Sequence, residues 1–428
     1  MLDIELFREN SANLIRADHD KRGISHEKID QVIALDDEWK NALHDMELAR
    51  RERNTAARSI SEAKKSGDTE LAEKIMLDVK DLGTSISKLD DQANNLLEQR
   101  DAIRMSIPNL LHNAVPVGTD EDGNTVHSIH GSKKEYDFDV RTHNELIEMN
   151  NWVELERAAK IAGSRFFFLK GDLARLELAL QQHSIDLLTD KGFTLVQPPA
   201  MMNRAAYEGV TDLSDFEMVM YGVEPDKLYM IATSEHPMTA MFMDEVIEPS
   251  LLPIKMVGIS QCFRREVGAH GLSDRGIWRV HQFTKIEQII ISHPDDSWQH
   301  HEDLLQNCIE LWDSLEMHYE VVNICTGDMG TVAARKYDLE AWLPGADAYK
   351  EIVSCSNCTD YQANRLRMRY RTADGNQSVH TLNSTAVATS RALVAIMEQN
   401  QLPDGRVEIP KVLQPFMGGQ TILEPCQW

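Results

Sequence analysis

At 428 residues, with 42% apolar and 26% charged side chains, the chain has room for one large domain and a smaller one, in a composition ordinary for a globular protein. No apolar run reaches the ~18 residues of a membrane helix. The N-terminal MLDIELFREN carries acids where a signal peptide needs bases, and six scattered cysteines form no disulfide framework, so a cytoplasmic protein is expected.

The first periodic signal spans residues 27–107. Positions 32, 35, 39, 42, 46, 49, 53, 56, 60 and 63 alternate steps of three and four and are apolar except at Arg53. A second series from Ile75 to Ile107 is apolar except at Arg100. Lys64-Lys65-Ser66-Gly67-Asp68 separates the two as a turn, and Pro108 stops the second. The pattern predicts an antiparallel coiled-coil hairpin within a domain over 1–108, each helix about 50–60 Å long. The net charge is −25, yet residues 49–65 carry Arg50, Arg51, Arg53, Arg58, Lys64 and Lys65 against two acids. A basic cluster near the tip of a projecting arm on an acidic protein suits a phosphate backbone.

Residues 115–134, rich in Gly, Asp and Asn, read as a linker to a second domain over 109–428. There GDLARLELALQQHSIDLLTDKG predicts an amphipathic helix, and FTLVQPPAMM a strand broken by prolines. KLYMIATSEH, KMVGISQCFRREV, WRVHQFTKIEQIIIS and YEVVNICTGD predict strands. Closely spaced strands without regular βαβ alternation imply an α+β fold on a mostly antiparallel sheet. No Walker A loop and no GxGxxG follows a strand, so any nucleotide binds by another arrangement.

Residues 262–287, CFRREVGAHGLSDRGIWRVHQFTKIE, hold the densest chemistry. Period-two alternation puts Arg264 and Glu266 on one face of a first strand, and Arg279, His281, Phe283, Lys285 and Glu287 on one face of a second. His281 is expected to supply a supporting hydrogen bond, His300 and His301 to sit at an exposed helix start, and Cys355 and Cys358 to be buried thiols. A lone CxxC lacks the second pair that a zinc site needs, so no structural zinc is expected.

This segment resembles the second signature motif of class II aminoacyl-tRNA synthetases, in the form found in seryl-tRNA synthetases. GFTLVQPPAM at 192–201 resembles the first signature, whose proline, matched by Pro199, helps build a homodimer interface. TLNSTAVATSR at 381–391 resembles the third, and TSE at 233–235 the family's serine-binding Thr-Ala-Glu. The hairpin resembles the family's tRNA-binding arm. The resemblance implies L-serine, ATP with Mg2+, and tRNA(Ser) as partners, with tRNA(Sec) a second tRNA where it exists.

The same resemblance implies the residue roles. Arg264 would join the ATP α-phosphate to the serine carboxylate, Arg391 would hold the γ-phosphate, Phe283 would stack on adenine and Glu266 would accept from its amino group. Arg265, Arg279, Val280, Ile352 and Val353 complete the ATP set, and Glu351 and Ser354 would carry the magnesium. Serine selection would rest on Glu287 with Thr233, Ser234, Glu235, Asn383 and Thr385. The sequence departs from the family pattern at Ser384 and Ala386, where glycines are usual, at Thr385 and Val353 in place of serines, at Ser234 in place of alanine, and at Val267 and Ala269. Two other readings remain open: a relative that loads an amino acid onto a carrier protein, and a silent binding protein.

Overall fold

The computed structural model describes residues 1–8, 11–212, 218–267 and 276–428. Two compact units divide the chain, Leu2–Pro108 and Asn109–Trp428, the second also taking in Met1.

The first unit holds α1 (Ala12–Arg22) and two long helices, α2 (Glu27–Ser66) and α3 (Thr69–Arg104), which pack on each other as a hairpin. The turn between them is short because each residue has a defined task. Gly67 takes the left-handed conformation (φ 80°) that closes α2, and the Asp68 carboxylate accepts the Leu71 N–H to cap α3. Val32, Ala42, Met46 and Ala63 of the first apolar series are buried, as are Ala72, Ile86, Ala93 and Leu96 of α3, and Ala42 clusters with Ala93 and Leu96.

Arg100 interrupts the second apolar series for an electrostatic reason. It is buried, stacks 5.0 Å from the Trp39 ring centroid and donates to Asp36 at 2.6 Å. Arg8 and Lys40 also meet Asp36, at 3.0 and 2.7 Å. Burial alone would raise the Asp36 pKa, but the three cations outweigh it and hold it at about 2. The other exception, Arg53, is exposed together with Arg50, Arg51, Arg58, Lys64 and Lys65.

The second unit is built on an eight-stranded sheet. In chain order its strands are β1 (Thr125–His130), β2 (Thr194–Val196), β3 (Ile254–Phe263), β4 (Gln282–Ser292), β5 (Tyr319–Asn323), β6 (Arg335–Leu343), β7 (Ala348–Asn357) and β8 (His380–Ala388). Their spatial order is β1-β5-β6-β7-β8-β4-β3-β2, and every neighbouring pair is antiparallel except β2 with β3. Helices α4 (Gly171–Asp190), α6 (Ser297–Ser314) and α7 (Thr389–Gln399) share one apolar core with the sheet through Leu176, Leu304, Trp312 and Leu393 against Ile286, Ile290, Val353 and Leu382. Ile289 and Ile291, on alternate positions of β4, join a second cluster with Tyr207, Ile231 and Met256. Ile289, Ile290 and Ile291 of β4 form a continuous apolar run because both faces of the strand are covered there.

Two expectations change here. The stretch at 115–134 is not all linker, since Thr125–His130 pairs with β5 as an edge strand. Its side chains are mostly exposed, so it carries no apolar stripe to announce it. KLYMIATSEH is a strand only over Leu228–Met230 and becomes helix α5 (Glu235–Ala240). Pro237 is tolerated there because the first helical turn has no internal partner for its N–H groups. Among the described residues no helix is long and apolar enough to cross a membrane.

Candidate active site

β3 and β4 pair from Gln282 opposite Phe263 to Ile291 opposite Ile254. Both strands are shorter than the sequence pattern predicts, ending at Phe263 and beginning at Gln282. β3 ends at Phe263; the Arg264 N–H donates to the His281 carbonyl at 3.0 Å, the Arg265 N–H leaves the sheet for the Val219 carbonyl at 2.9 Å, and Glu266 adopts φ 46°. Loop hydrogen bonds rather than strand alternation therefore position Arg264 and Glu266. His281 precedes β4, and its Nδ1 donates to the Arg264 carbonyl at 2.8 Å. Phe283, Lys285 and Glu287 do share one face of β4. His270 and Ala269 lie outside the described residues.

Two irregularities aim the remaining side chains. Between β6 and β7 the register slips, with Leu339 opposite Val353 but Glu340 opposite Glu351, so Ile352 is an extra residue. A regular strand would turn residues 351 and 354 to opposite faces; the bulge brings Glu351 and Ser354 to the same cavity and leaves Val353 in the core. Between β4 and β8 the register slips again, with Ile286 opposite Val387 but Glu287 opposite Thr385. Asn383 and Thr385 face the cavity, while Ser384 points to α6, its hydroxyl 3.2 Å from the Cys308 thiol. The departures at Val353, Ser384 and Ala386 thus fall on the packed face.

The cavity has two connected compartments. Glu266, Trp278, Arg279, Val280, Phe283, Ile352 and Arg391 surround the first. Thr233, Glu235, His236, Glu287, Lys336, Ser354, Cys358 and Asn383 surround the second, a space of about 460 Å³. Arg264, Lys285, Glu351 and Thr385 border both. Of the remaining predicted residues, Ser234 is buried beside Gly258, where an added Cβ would lie 2.7 Å from its hydroxyl; Arg265 and Pro199 are exposed.

Cations and carboxylates interleave along this wall. Arg391 donates to the Glu351 carbonyl at 2.8 Å, lies 3.4 Å from its carboxylate and stacks 5.4 Å from the Trp278 ring centroid. Desolvation by the cleft walls would raise the Glu351 pKa, although its side chain is 48% exposed, but Arg391, Lys336 and Arg264 outweigh it and lower the value. The Arg264 guanidinium sits 5.5 Å from the Phe283 ring centroid. Arg279 reaches Glu266 at 3.4 Å. Lys285 and Glu287 are both buried, 2.7 Å apart. Glu235 accepts from Gln362 at 2.9 Å and Asn383 at 3.1 Å, and burial, with Glu287 nearby, pushes its pKa up to about 7. His236 is driven down to about 3 by burial and the cations Lys285 and Arg264, so it is neutral.

Lys285 belongs to the alternating series, but its place bordering both compartments depends on β8, a neighbour the local sequence does not show. Lys336 and Trp278 gave no signal. Cys355 and Cys358 are buried, as expected. His300 and His301 are not exposed, contrary to expectation. His301 is fully buried on the inner face of α6 and meets the Cys355 carbonyl at 3.1 Å, and His300 meets the Ser292 hydroxyl at 2.8 Å.

Residues 1–111 match the family model for the seryl-tRNA synthetase N-terminal domain, and residues 221–400 match that for the class II tRNA synthetase core domain (G, H, P, S and T). The serine–tRNA ligase of Methanocorpusculum labreanum is 49% identical and that of Methanospirillum hungatei 47%, each over 99% of this chain and the whole of the relative. The seryl-tRNA synthetase of Pyrococcus horikoshii, solved with ATP, superposes with a TM-score of 0.94 at 40% identity over all of both chains. These matches run the full length of the chain, through the helical hairpin and the sheet that carries the cavity, and this chain belongs to the seryl-tRNA synthetase family.

Proposed function

We propose that this chain joins L-serine to tRNA in two steps: the serine carboxylate attacks the α-phosphorus of ATP and expels pyrophosphate, and a terminal ribose hydroxyl of the tRNA then attacks the seryl carbonyl and expels AMP. The observation that carries this reading is Arg264, which borders both compartments. A guanidinium at that junction can hold two anions that repel each other and stabilise the charge that builds between them. No protein nucleophile is needed, because the substrate carboxylate attacks, and catalysis is positioning plus electrostatics.

In the first compartment Phe283 stacks on adenine, Glu266 accepts from its amino group and Arg391 pairs with the γ-phosphate. Arg279, Val280 and Ile352 shape the remaining wall. In the second, Glu235 and Thr233 receive the serine ammonium, and Glu287 with Asn383 and Thr385 receives the hydroxyl. A buried carboxylate that expects a hydroxyl rejects alanine, because it would stay unpaired. Glu351 and Ser354 bring a carboxylate and a hydroxyl to one cavity, the hard oxygen donors that Mg2+ takes. When bound, that ion neutralises phosphate charge.

Outside the cavity, Arg50, Arg51, Arg53, Arg58, Lys64 and Lys65 hold the tRNA backbone. Contacts of this kind read shape rather than base sequence. The arm favours tRNA over a carrier protein as acceptor. Pro199, exposed beyond edge strand β2, belongs to a homodimer interface, and the enzyme works in the cytoplasm on tRNA(Ser) and, where present, tRNA(Sec). Serine-dependent ATP–pyrophosphate exchange and charging of tRNA(Ser) with labelled serine test the reading. Exchange with serine but not alanine or threonine, followed by charging, is expected; no exchange, or exchange driven by another amino acid, overturns it.

A further inference from the structure

Ser354 can serve a cation only if its hydroxyl offers a lone pair, and its proton then needs an acceptor on the far side. Across the sheet, Asp338 of β6 is its direct register partner. Asp338 is 5% exposed, and its Oδ2 lies 3.1 Å from the Lys336 ammonium. The Ser354 hydroxyl is near enough to stabilise the carboxylate's charge, yet Oδ1 is buried and closes no well-directed hydrogen bond. Lys336 belongs to the cavity wall with Ser354 and Glu351, whereas Asp338 lies beneath that wall.

We propose that Asp338 is a positioning residue for the nucleotide-bound divalent cation: held by Lys336, its carboxylate takes the Ser354 proton as a hydrogen bond and so turns the hydroxyl oxygen toward the ion. The proposal rests on the reading of Glu351 and Ser354 as cation ligands. Partners behind a metal ligand set its orientation and basicity, and their loss weakens metal affinity by about 10- to 100-fold. The i,i+2 placement of Lys336 and Asp338 on one face of β6 holds the Asp338 side chain beside the ammonium without a contact to substrate.

The test uses the full chain with a non-hydrolysable ATP analogue and Mn2+ as the probe, its free concentration read by electron paramagnetic resonance. Asp338→Asn is expected to weaken Mn2+ binding about 10- to 100-fold when Ser354 is present. On a Ser354→Ala background it is expected to add no more than about twofold, because the two residues act as one unit. Asp338→Asn leaves Lys336 without its partner, so the charge-neutral double variant Lys336→Gln/Asp338→Asn is measured beside it; it carries the test if the single variant does not fold, and its affinity is expected to fall equally. If Glu351→Gln and Ser354→Ala lose Mn2+ affinity while both Asp338 variants keep it, or if Asp338→Asn costs as much without Ser354 as with it, the proposal is wrong. If Glu351→Gln and Ser354→Ala also keep their affinity, the cation site itself is wrong and the proposal falls with it.

Discussion

Lys285 and Glu287 stand two residues apart on one face of β4 with 2.7 Å between ammonium and carboxylate, both nearly sealed from water. The pair borders the compartment assigned to serine, and Lys285 also lies 3.5 Å from the Thr385 hydroxyl. One carboxylate oxygen, Oε2, faces the lysine without closing a well-directed hydrogen bond. Removing one partner of such a pair strands the other charge. Glu287→Gln is therefore expected to destabilise the fold by about 3–5 kcal/mol. Its kcat/KM for serine in pyrophosphate exchange should fall by on the order of 100-fold or more. ATP affinity, measured by calorimetry, should change little, because Glu287 does not border the nucleotide compartment.

Glu235 ties serine binding to pH. Its pKa is pushed up to about 7 by burial and the nearby Glu287, and an ammonium needs it ionised. The KM for serine is expected to fall as pH rises from about 6 to about 8 and then to level off. Stability moves the other way. The folded state binds the proton more tightly than the unfolded chain, so this residue's contribution shrinks as pH climbs from the ordinary glutamate range through about 7. Glu235→Gln should flatten both profiles, as read by exchange kinetics and by denaturant melts across pH.

The arm separates the two steps. Neutralising Arg50, Arg53 and Arg58 together is expected to raise the KM for tRNA by on the order of tenfold and to reduce the salt dependence of tRNA binding by about one ion per charge removed. Serine-dependent exchange should be unchanged. A matching loss of exchange would mean that these residues support the fold rather than the tRNA.

The departure from the family pattern at Ser384 is a packing matter. Its hydroxyl meets Cys308 on α6 and its side chain is fully buried away from the cavity. Ser384→Gly should lower stability by about 1–2 kcal/mol through the lost contact and the looser strand, with kcat for exchange unchanged. A tenfold fall in kcat without unfolding would place the residue in the reaction instead.

The long periods were legible and the local breaks were not. Two apolar series with a glycine turn specify the hairpin, because heptad spacing is a property of each helix alone. Even there Arg100 looked like a flaw until Asp36, 64 residues away in sequence, came to face it. In the sheet, Phe283, Lys285 and Glu287 could be put on one face from alternation, but Glu351 with Ser354 could not, since a bulge exists only relative to the neighbouring strand. The end of β3 at Phe263 depends on the Val219 carbonyl capturing the Arg265 N–H, a partner the local sequence does not show. His301 follows a related rule: it stands near the start of α6 in a mostly polar stretch, yet the sheet covers that side of the helix.

The most direct test is a crystal structure of the chain with Mg2+, ATP analogue and serine bound. The Arg264 guanidinium should contact both the α-phosphate and the serine carboxylate, with a Glu287 oxygen within hydrogen-bond distance of the serine hydroxyl. Arg264 and Glu287 turned away from both ligands, with the ligands lodged elsewhere, would contradict the account.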